Sequence, residues 1–353
     1  MPEKIKINWY RTPVEKEVMK KLMERSDSKA LTQVLLQIGL FLFTGTASYL
    51  AFRNITAANW PWATPLLVAC LFFHGTFTHF MGWTATHELL HKTPFKTQSL
   101  NTFFLHLFSF ISWVDVVAFR VSHVKHHQAT THHDHDGEVV LPKKLDLAGF
   151  SFWFWQFAPI PNPWTVGDRL KTFWRYSTGN LEGLGIFDGG EPWMKEVLPE
   201  SDAVLRRRHK NWSRVILFGH LFLAAIFIAT GNWILVLIVN LPTAYCNCLS
   251  MFVSMPQHIG MAPDTTDFRL CCRTYTCGRF VGFLYWNMQY HVEHHMYPVV
   301  PFYNLPALRK AIEHDLPPAP HGLIATWREI LPVLRKQKND PDFCFVPAIP
   351  QRG

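Results

Sequence analysis

Gln289-Tyr290-His291-Val292-Glu293-His294-His295 sets three imidazoles within five residues, at the spacing i, i+3 and i+4. On a helix those positions share one face, so the three rings can converge on a common point. Imidazole is a ligand for iron, zinc, copper and nickel. Two further clusters stand earlier: His87 and His91 lie four apart, and His123, His126 and His127 repeat the i, i+3, i+4 spacing. Of the 19 histidines, 11 fall in the windows 87–91, 123–135 and 291–295. Histidines scattered through a core would not crowd in this way, so the clusters read together as metal ligands.

Working outward, the rest of the chain places these clusters at a membrane. Only 17% of the 353 residues are charged and 15% are aromatic, with 14 Trp, whereas soluble proteins average roughly 25% charged. The net charge of +8 suits a face toward anionic lipid head groups or an acidic protein partner. The basic residues form no long tract, which argues against a nucleic-acid role. Spans are expected at about 31–52, 61–86, 212–230 and 232–255. The short 53–59 and 231–232 connections carry almost no charge, while the N-terminus, the 120–210 region and the C-terminal tail hold nearly all the Lys and Arg. By the positive-inside rule the last three face the cytoplasm, and two helical hairpins dip in from that side.

The expected fold is therefore an all-α integral membrane protein: four transmembrane helices in two hairpins, with a cytosolic cap carrying the histidine clusters. Residues 1–30 read as a cytosolic N-terminal segment, 31–310 as the membrane domain, and 311–353 as a cytosolic tail with short helices near 304–315 and 323–336. The apolar stretch 100–119 is expected to be buried, re-entrant or in-plane, because a crossing there would separate His91 from His123 by the bilayer thickness, about 30 Å. Phe152-Trp153-Phe154-Trp155 reads as an interfacial anchor. Cys246 and Cys248 read as core thiols, and Cys271, Cys272 and Cys277 as a reduced cytosolic loop, with a disulfide or a metal site as the alternatives.

His87-Glu88-Leu89-Leu90-His91 alone also fits the zinc-protease pattern H-E-x-x-H, with Glu88 as general base. Such a site needs one further ligand and leaves two clusters without a purpose. The preferred ligand set is His87, His91, His123, His126, His127, His291, His294 and His295, with His258 as a ninth because it leaves the fourth span at the same depth. Of the acids after the second cluster, Asp134 and Asp136 are expected to hold ligating rings in place, as is Glu293. Asn287, one turn before His291, is expected either to reach the metal through water or to stabilise the helix. Trp83, Trp113 and Trp286 are candidate walls of a substrate tunnel. Eight or nine nitrogens exceed the four that tetrahedral zinc takes. They fit two metals with open positions for O2, and iron is preferred because zinc cannot change oxidation state.

The boxes His87-xxx-His91, His123-xx-His126-His127 and His291-xx-His294-His295 resemble those of the membrane fatty acid desaturase/hydroxylase superfamily. The stretches Arg273-Thr274, Leu284-Tyr285-Trp286-Asn287-Met288, His295-Met296-Tyr297-Pro298 and Pro301-Phe302-Tyr303-Asn304-Leu305-Pro306 are similar to bacterial fatty acid desaturases and hydrocarbon oxygenases. The resemblance covers roughly residues 60–310, and in it His258 matches the extra histidine that precedes the third box. It implies a non-haem di-iron centre, O2 as co-substrate, a lipid-like acyl or hydrocarbon substrate, and fatty acyl desaturation. The alternative on the same centre is hydroxylation of a fatty acid, alkane or related apolar compound. No His-Pro-Gly-Gly haem-binding signature is present, so electrons are expected from a separate ferredoxin- or cytochrome-type protein.

Overall fold

In a computed structural model the described residues, 7–143, 149–183 and 186–350, form helices and connecting turns, with two isolated bridges and no strand among them. Residues 1–6 of the N-terminal segment, 144–148, residues 184 and 185 of the expected cap, and 351–353 of the tail lie outside that description. Three helical stretches are long and apolar enough to cross a membrane: Asp27–Arg53 (α2), Trp60–Leu90, and Ala203–Ala229 (α10). The second comprises α3 (Trp60–Thr78), a 3-10 turn and α4 (Trp83–Leu90). A short α1 (Lys16–Leu22) precedes them.

The faces of these helices are inverted relative to a soluble bundle. On α2 the buried positions include Gln33, Gln37, Thr44, Gly45 and Ser48, while Leu35, Leu36, Leu42, Phe43 and Leu50 are exposed. Small and polar residues let helices approach and hydrogen-bond across the contact, and bulky apolar ones are left for lipid. Gly45 shows why: a Cβ there would meet Ile238 at 3.1 Å and the His74 ring at 3.2 Å. Trp60, Trp62 and Trp233 sit exposed near span ends, where an amphipathic ring suits the head-group layer.

The stretch 232–255, expected as an unbroken span, is broken. A π-helical turn, Val236–Asn240, runs into a 3-10 turn, Pro242–Ala244, and Cys246 has φ 56°, before α11 (Cys248–Ser254). Pro242 has no N–H to donate, so the helical ladder cannot run through it. In hydrocarbon each freed carbonyl costs several kcal/mol unless paired. Side chains from other elements pair them: His74 Nε2 with the Ile238 carbonyl (2.9 Å), Trp113 Nε1 with that of Asn240 (2.7 Å), Arg169 with that of Thr243 (3.0 Å), and His79 Nε2 with that of Tyr245 (2.9 Å). His74 and His79 thus do structural work, as does His220, whose Nε2 lies 2.8 Å from the Phe110 carbonyl.

The stretch 100–119, expected to be buried, re-entrant or in-plane, bends. Helix α5 (Gln98–Ser112) and α6 (Val116–Ala129) meet at 106°. Trp113 turns the chain in the left-handed region, φ 57°, and Asp115 caps α6 by accepting from the N–H groups of Val117 and Ala118. His209 Nδ1 on α10 lies 2.5 Å from Asp115 Oδ2, and Ser213 donates to the same oxygen at 3.0 Å. The bend aims the second histidine cluster back toward α4. Helices α7 (Phe150–Phe157), α8 (Pro163–Thr178) and α9 (Gly190–Val197) fill the 149–200 region, and α7 has no buried residue. After α12 (Phe268–Cys271) and α13 (Arg279–Leu284) comes α14 (His291–Met296), with the third cluster. The tail helices fall where expected, α15 at Leu305–Ile312 and α16 at Leu323–Gln337.

Candidate metal centre

The bend of α6, the end of α4, the turn before His258 and the short α14 bring all nine expected histidines into two adjoining groups. In the first, one ligand atom each from His87, His91, His123, His127 and His294 lie within 4.8 Å of one another. In the second, His258, His291, His295 and the thiol of Cys272 do the same. His126 flanks the second group, its ring centre 5.1 Å from that of His258 and 5.0 Å from that of His295. The rings of His127 and His295 stack at 4.3 Å where the groups meet.

The nitrogens face one another in a way that imidazoles alone cannot satisfy. His258 Nδ1 donates to the Cys271 carbonyl at 2.9 Å. Thr130 donates its hydroxyl to the His126 carbonyl, so His295 Nδ1, 3.1 Å from Thr130 Oγ1, must be the donor of that pair. Both rings therefore present lone pairs at Nε2, and both point at one atom, His291 Nε2, at 2.8 Å and 3.1 Å. A single N–H there could serve only one of them. A cation could serve all three, since donors about 2.0–2.1 Å from a metal and at right angles around it lie about 3 Å apart. The first group has the same geometry, with Nε2–Nε2 distances of 3.1 Å (His91–His123), 2.9 Å (His123–His127) and 3.2 Å (His127–His294). The residues present fit a pair of metal ions.

Carboxylates hold the rings from behind. Asp136 Oδ2 lies 2.7 Å from His126 Nδ1, and Glu138 Oε1 lies 2.7 Å from His123 Nδ1. Burial pushes the Asp136 carboxyl up, but His126 and backbone N–H groups outweigh it and hold the group below its ordinary value. Burial dominates at Glu138 and raises it to about 7. Burial, with the neighbouring imidazoles, drives His291, His294 and His295 well below their ordinary value, and burial takes His258 to about 3. These rings are neutral, the form that ligates.

Glu88 has a different place from the one a zinc protease requires. Its Oε1 lies 3.3 Å from His87 Nδ1 and 3.6 Å from His294 Nδ1, behind the rings and not on their Nε2 side. It joins the first and third boxes, a role no spacing in the sequence announces. Three expected site residues lie elsewhere. Asp134 lies in the exposed run 133–135, and of the two expected acids only Asp136, buried at the end of that turn, holds a ring. Glu293 is buried on the opposite side of α14, bonded to Thr274 and Arg309. Asn287 donates to the Phe302 carbonyl, because Trp286 and Asn287 take left-handed conformations, φ 49° and 55°, that end the helix before His291.

A cavity of about 260 Å³ opens onto both groups, touching His87, His123, His126, His258 and His291. Trp83, Phe119, Phe187 and Met288 are among its apolar walls, and Lys143 and Asp188, paired at 2.9 Å, are at its edge. Of the three expected tryptophans only Trp83 lines it. Trp113 is committed to the broken span, and Trp286 packs against Phe302. Cys272, for which the sequence left a metal site as the alternative to a reduced loop, stands among the possible ligands.

A family model described as fatty acid desaturase matches residues 60–327, more than half of the chain. Among curated proteins, the Delta(6)-fatty-acid desaturase fat-3 of Caenorhabditis elegans is 27% identical over 273 residues. The match covers 67% of this chain and 57% of that relative, so the chain spans little more than half the length of the curated protein it is similar to.

Proposed function

The chain belongs to the fatty acid desaturase family, and from that premise we propose that it is a membrane di-iron oxidase acting on C–H bonds of a lipid-like acyl or hydrocarbon chain, by O2-dependent desaturation. The observation that carries this reading is the pair of adjoining imidazole groups opening onto one apolar cavity. His87, His91, His123, His127 and His294 would hold one ion, and His126, His258, His291 and His295 the other. Iron bound there supplies the O2-dependent oxidation of an unactivated C–H bond.

The chain's own residues do the rest. Trp83, Phe119, Phe187 and Met288 hold a methylene of the substrate beside the two groups and keep water away from it. Asp136, Glu138 and Glu88 fix the orientation of His126, His123, His87 and His294, so the donors are set before metal arrives. Electrons come from a separate ferredoxin- or cytochrome-type protein. The excess of Lys and Arg in the N-terminal, 120–210 and C-terminal regions supports a multi-pass protein with the histidine boxes and both termini on the cytoplasmic side.

The test is metal analysis of the purified protein, followed by product analysis of lipids after incubation with O2 and reductant. Iron with the loss of two hydrogens from an acyl chain supports desaturation. Gain of one oxygen makes the enzyme a hydroxylase on the same centre. Absence of iron, or peptide cleavage without O2, defeats the proposal.

A further inference from the structure

We propose that Cys272 gives a thiolate to the metal ion of the second group, making it a mixed nitrogen and sulfur site beside an all-imidazole one. This rests on the metal-centre reading above and adds a donor that the three histidine boxes do not contain.

The position of the thiol is fixed on both sides. Its own N–H donates to the Phe268 carbonyl at 2.9 Å, and the next N–H, of Arg273, donates to Gln257 at 2.7 Å. The preceding carbonyl, of Cys271, holds His258 Nδ1 at 2.9 Å. The same short loop therefore orients one imidazole of the group and presents a sulfur to it. Cys272 is buried, with Sγ and the ligand atoms of His258, His291 and His295 mutually within 4.8 Å. Cys272 belongs to the buried apolar core, and on one side its sulfur also stands against three imidazoles. Cys271 Sγ, 3.8 Å away, is placed to donate its S–H to a thiolate.

Charge gives a second reason. The two groups of possible ligand atoms contain imidazoles and this one thiol, with no carboxylate oxygen among them. The thiolate is then the single anionic donor to a buried pair of cations. On binding, the S–H bond breaks, its proton passes to solvent, and the sulfur–metal bond forms with no change of oxidation state. Sulfur favours softer ions than imidazole does, so the two sites differ in the metal they prefer.

The experiment uses the full chain in detergent, loaded with cobalt(II). The wild type should bind two ions and show sulfur-to-cobalt charge-transfer absorption in the near ultraviolet. Cys272→Ser should lose that absorption, and Cys271→Ser should keep it. X-ray absorption of the zinc-loaded wild type gives an independent reading that needs no variant to fold: a sulfur scatterer at about 2.3 Å, about half a sulfur per zinc over both sites. Two bound ions with neither sulfur signal would overturn the thiolate and leave the histidine centre standing. So would absorption that follows Cys271 and not Cys272. A wild type that binds no metal overturns both.

Discussion

Asp136 offers the sharpest test of how the second group is held. Its Oδ2 accepts from His126 Nδ1 and the Thr131 N–H, both at 2.7 Å, and its Oδ1 accepts from the N–H groups of Glu138 and Val139, at 2.9 and 3.3 Å. In Asp136→Asn one of these oxygens becomes an amide nitrogen. Whichever way the amide turns, it faces two donors. Two buried N–H groups without acceptors cost about 1–3 kcal/mol each, so the fold should lose about 2–6 kcal/mol. If His126 is the ring released, the second ion should bind about 10–100-fold more weakly, or about 1.4–2.8 kcal/mol. Glu138→Gln is the counterpart. Its remaining oxygen can keep His123, and the Ser122 hydroxyl, which accepts from Trp193 Nε1 at 2.9 Å, can turn to accept from the new amide. Less than a tenfold effect is expected there, and on the first group. Stepwise chelator competition, with thermal melting in detergent, separates the two. Equal weakening of the same binding step by both variants, or none by Asp136→Asn, would refute the reasoning.

Glu88→Ala should weaken metal binding by the first group about 10–100-fold, seen as loss of up to one ion per chain. His126→Ala and His294→Ala should each abolish turnover and lower bound iron, from opposite groups, and full metal with full turnover in either would remove that residue from the ligand set. Trp113→Phe strips the donor from the Asn240 carbonyl in the broken span and should destabilise by about 1–3 kcal/mol, read as a lower melting temperature with metal content unchanged. The exposed pair of His133 and Asp264 sets a pH window. Asp264 holds His133 above its ordinary 6.5, and the His133 bonds outweigh burial to hold Asp264 below 3.8. The pair's stabilisation is complete between those values, fades as His133 deprotonates above them, and fades as Asp264 protonates below. The gap in melting temperature between wild type and Asp264→Asn should follow that shape.

Spacing carried much of the site, because i, i+3, i+4 histidines on a short helix have little choice about where they point. His123 and His127 on α6, and His291 and His295 on α14, converge in pairs four apart, whereas the i+3 members His126 and His294 turn to the other group, so neither triplet meets at one point. Spacing failed where the backbone leaves its period. Asn287 lies one turn before His291 only if the helix continues, and two left-handed residues stop it. Hydropathy likewise found the apolar run 232–255 without the break in it, since composition is blind to where the backbone bonds go. Glu88 and Cys272 were visible as residues, but their partners stand on other elements and no local pattern names them.

The broken span has a consequence for biogenesis. A helix that closes its own ladder can enter a bilayer unaided, whereas residues 236–246 draw four of their partners from 74, 79, 113 and 169. All four precede the segment in the chain, so a ribosome presents the donors before the carbonyls that need them. Synthesis in the opposite order, as in a circular permutant opening between α10 and Val236, would deliver that stretch to lipid before its neighbours and leave it to quality control.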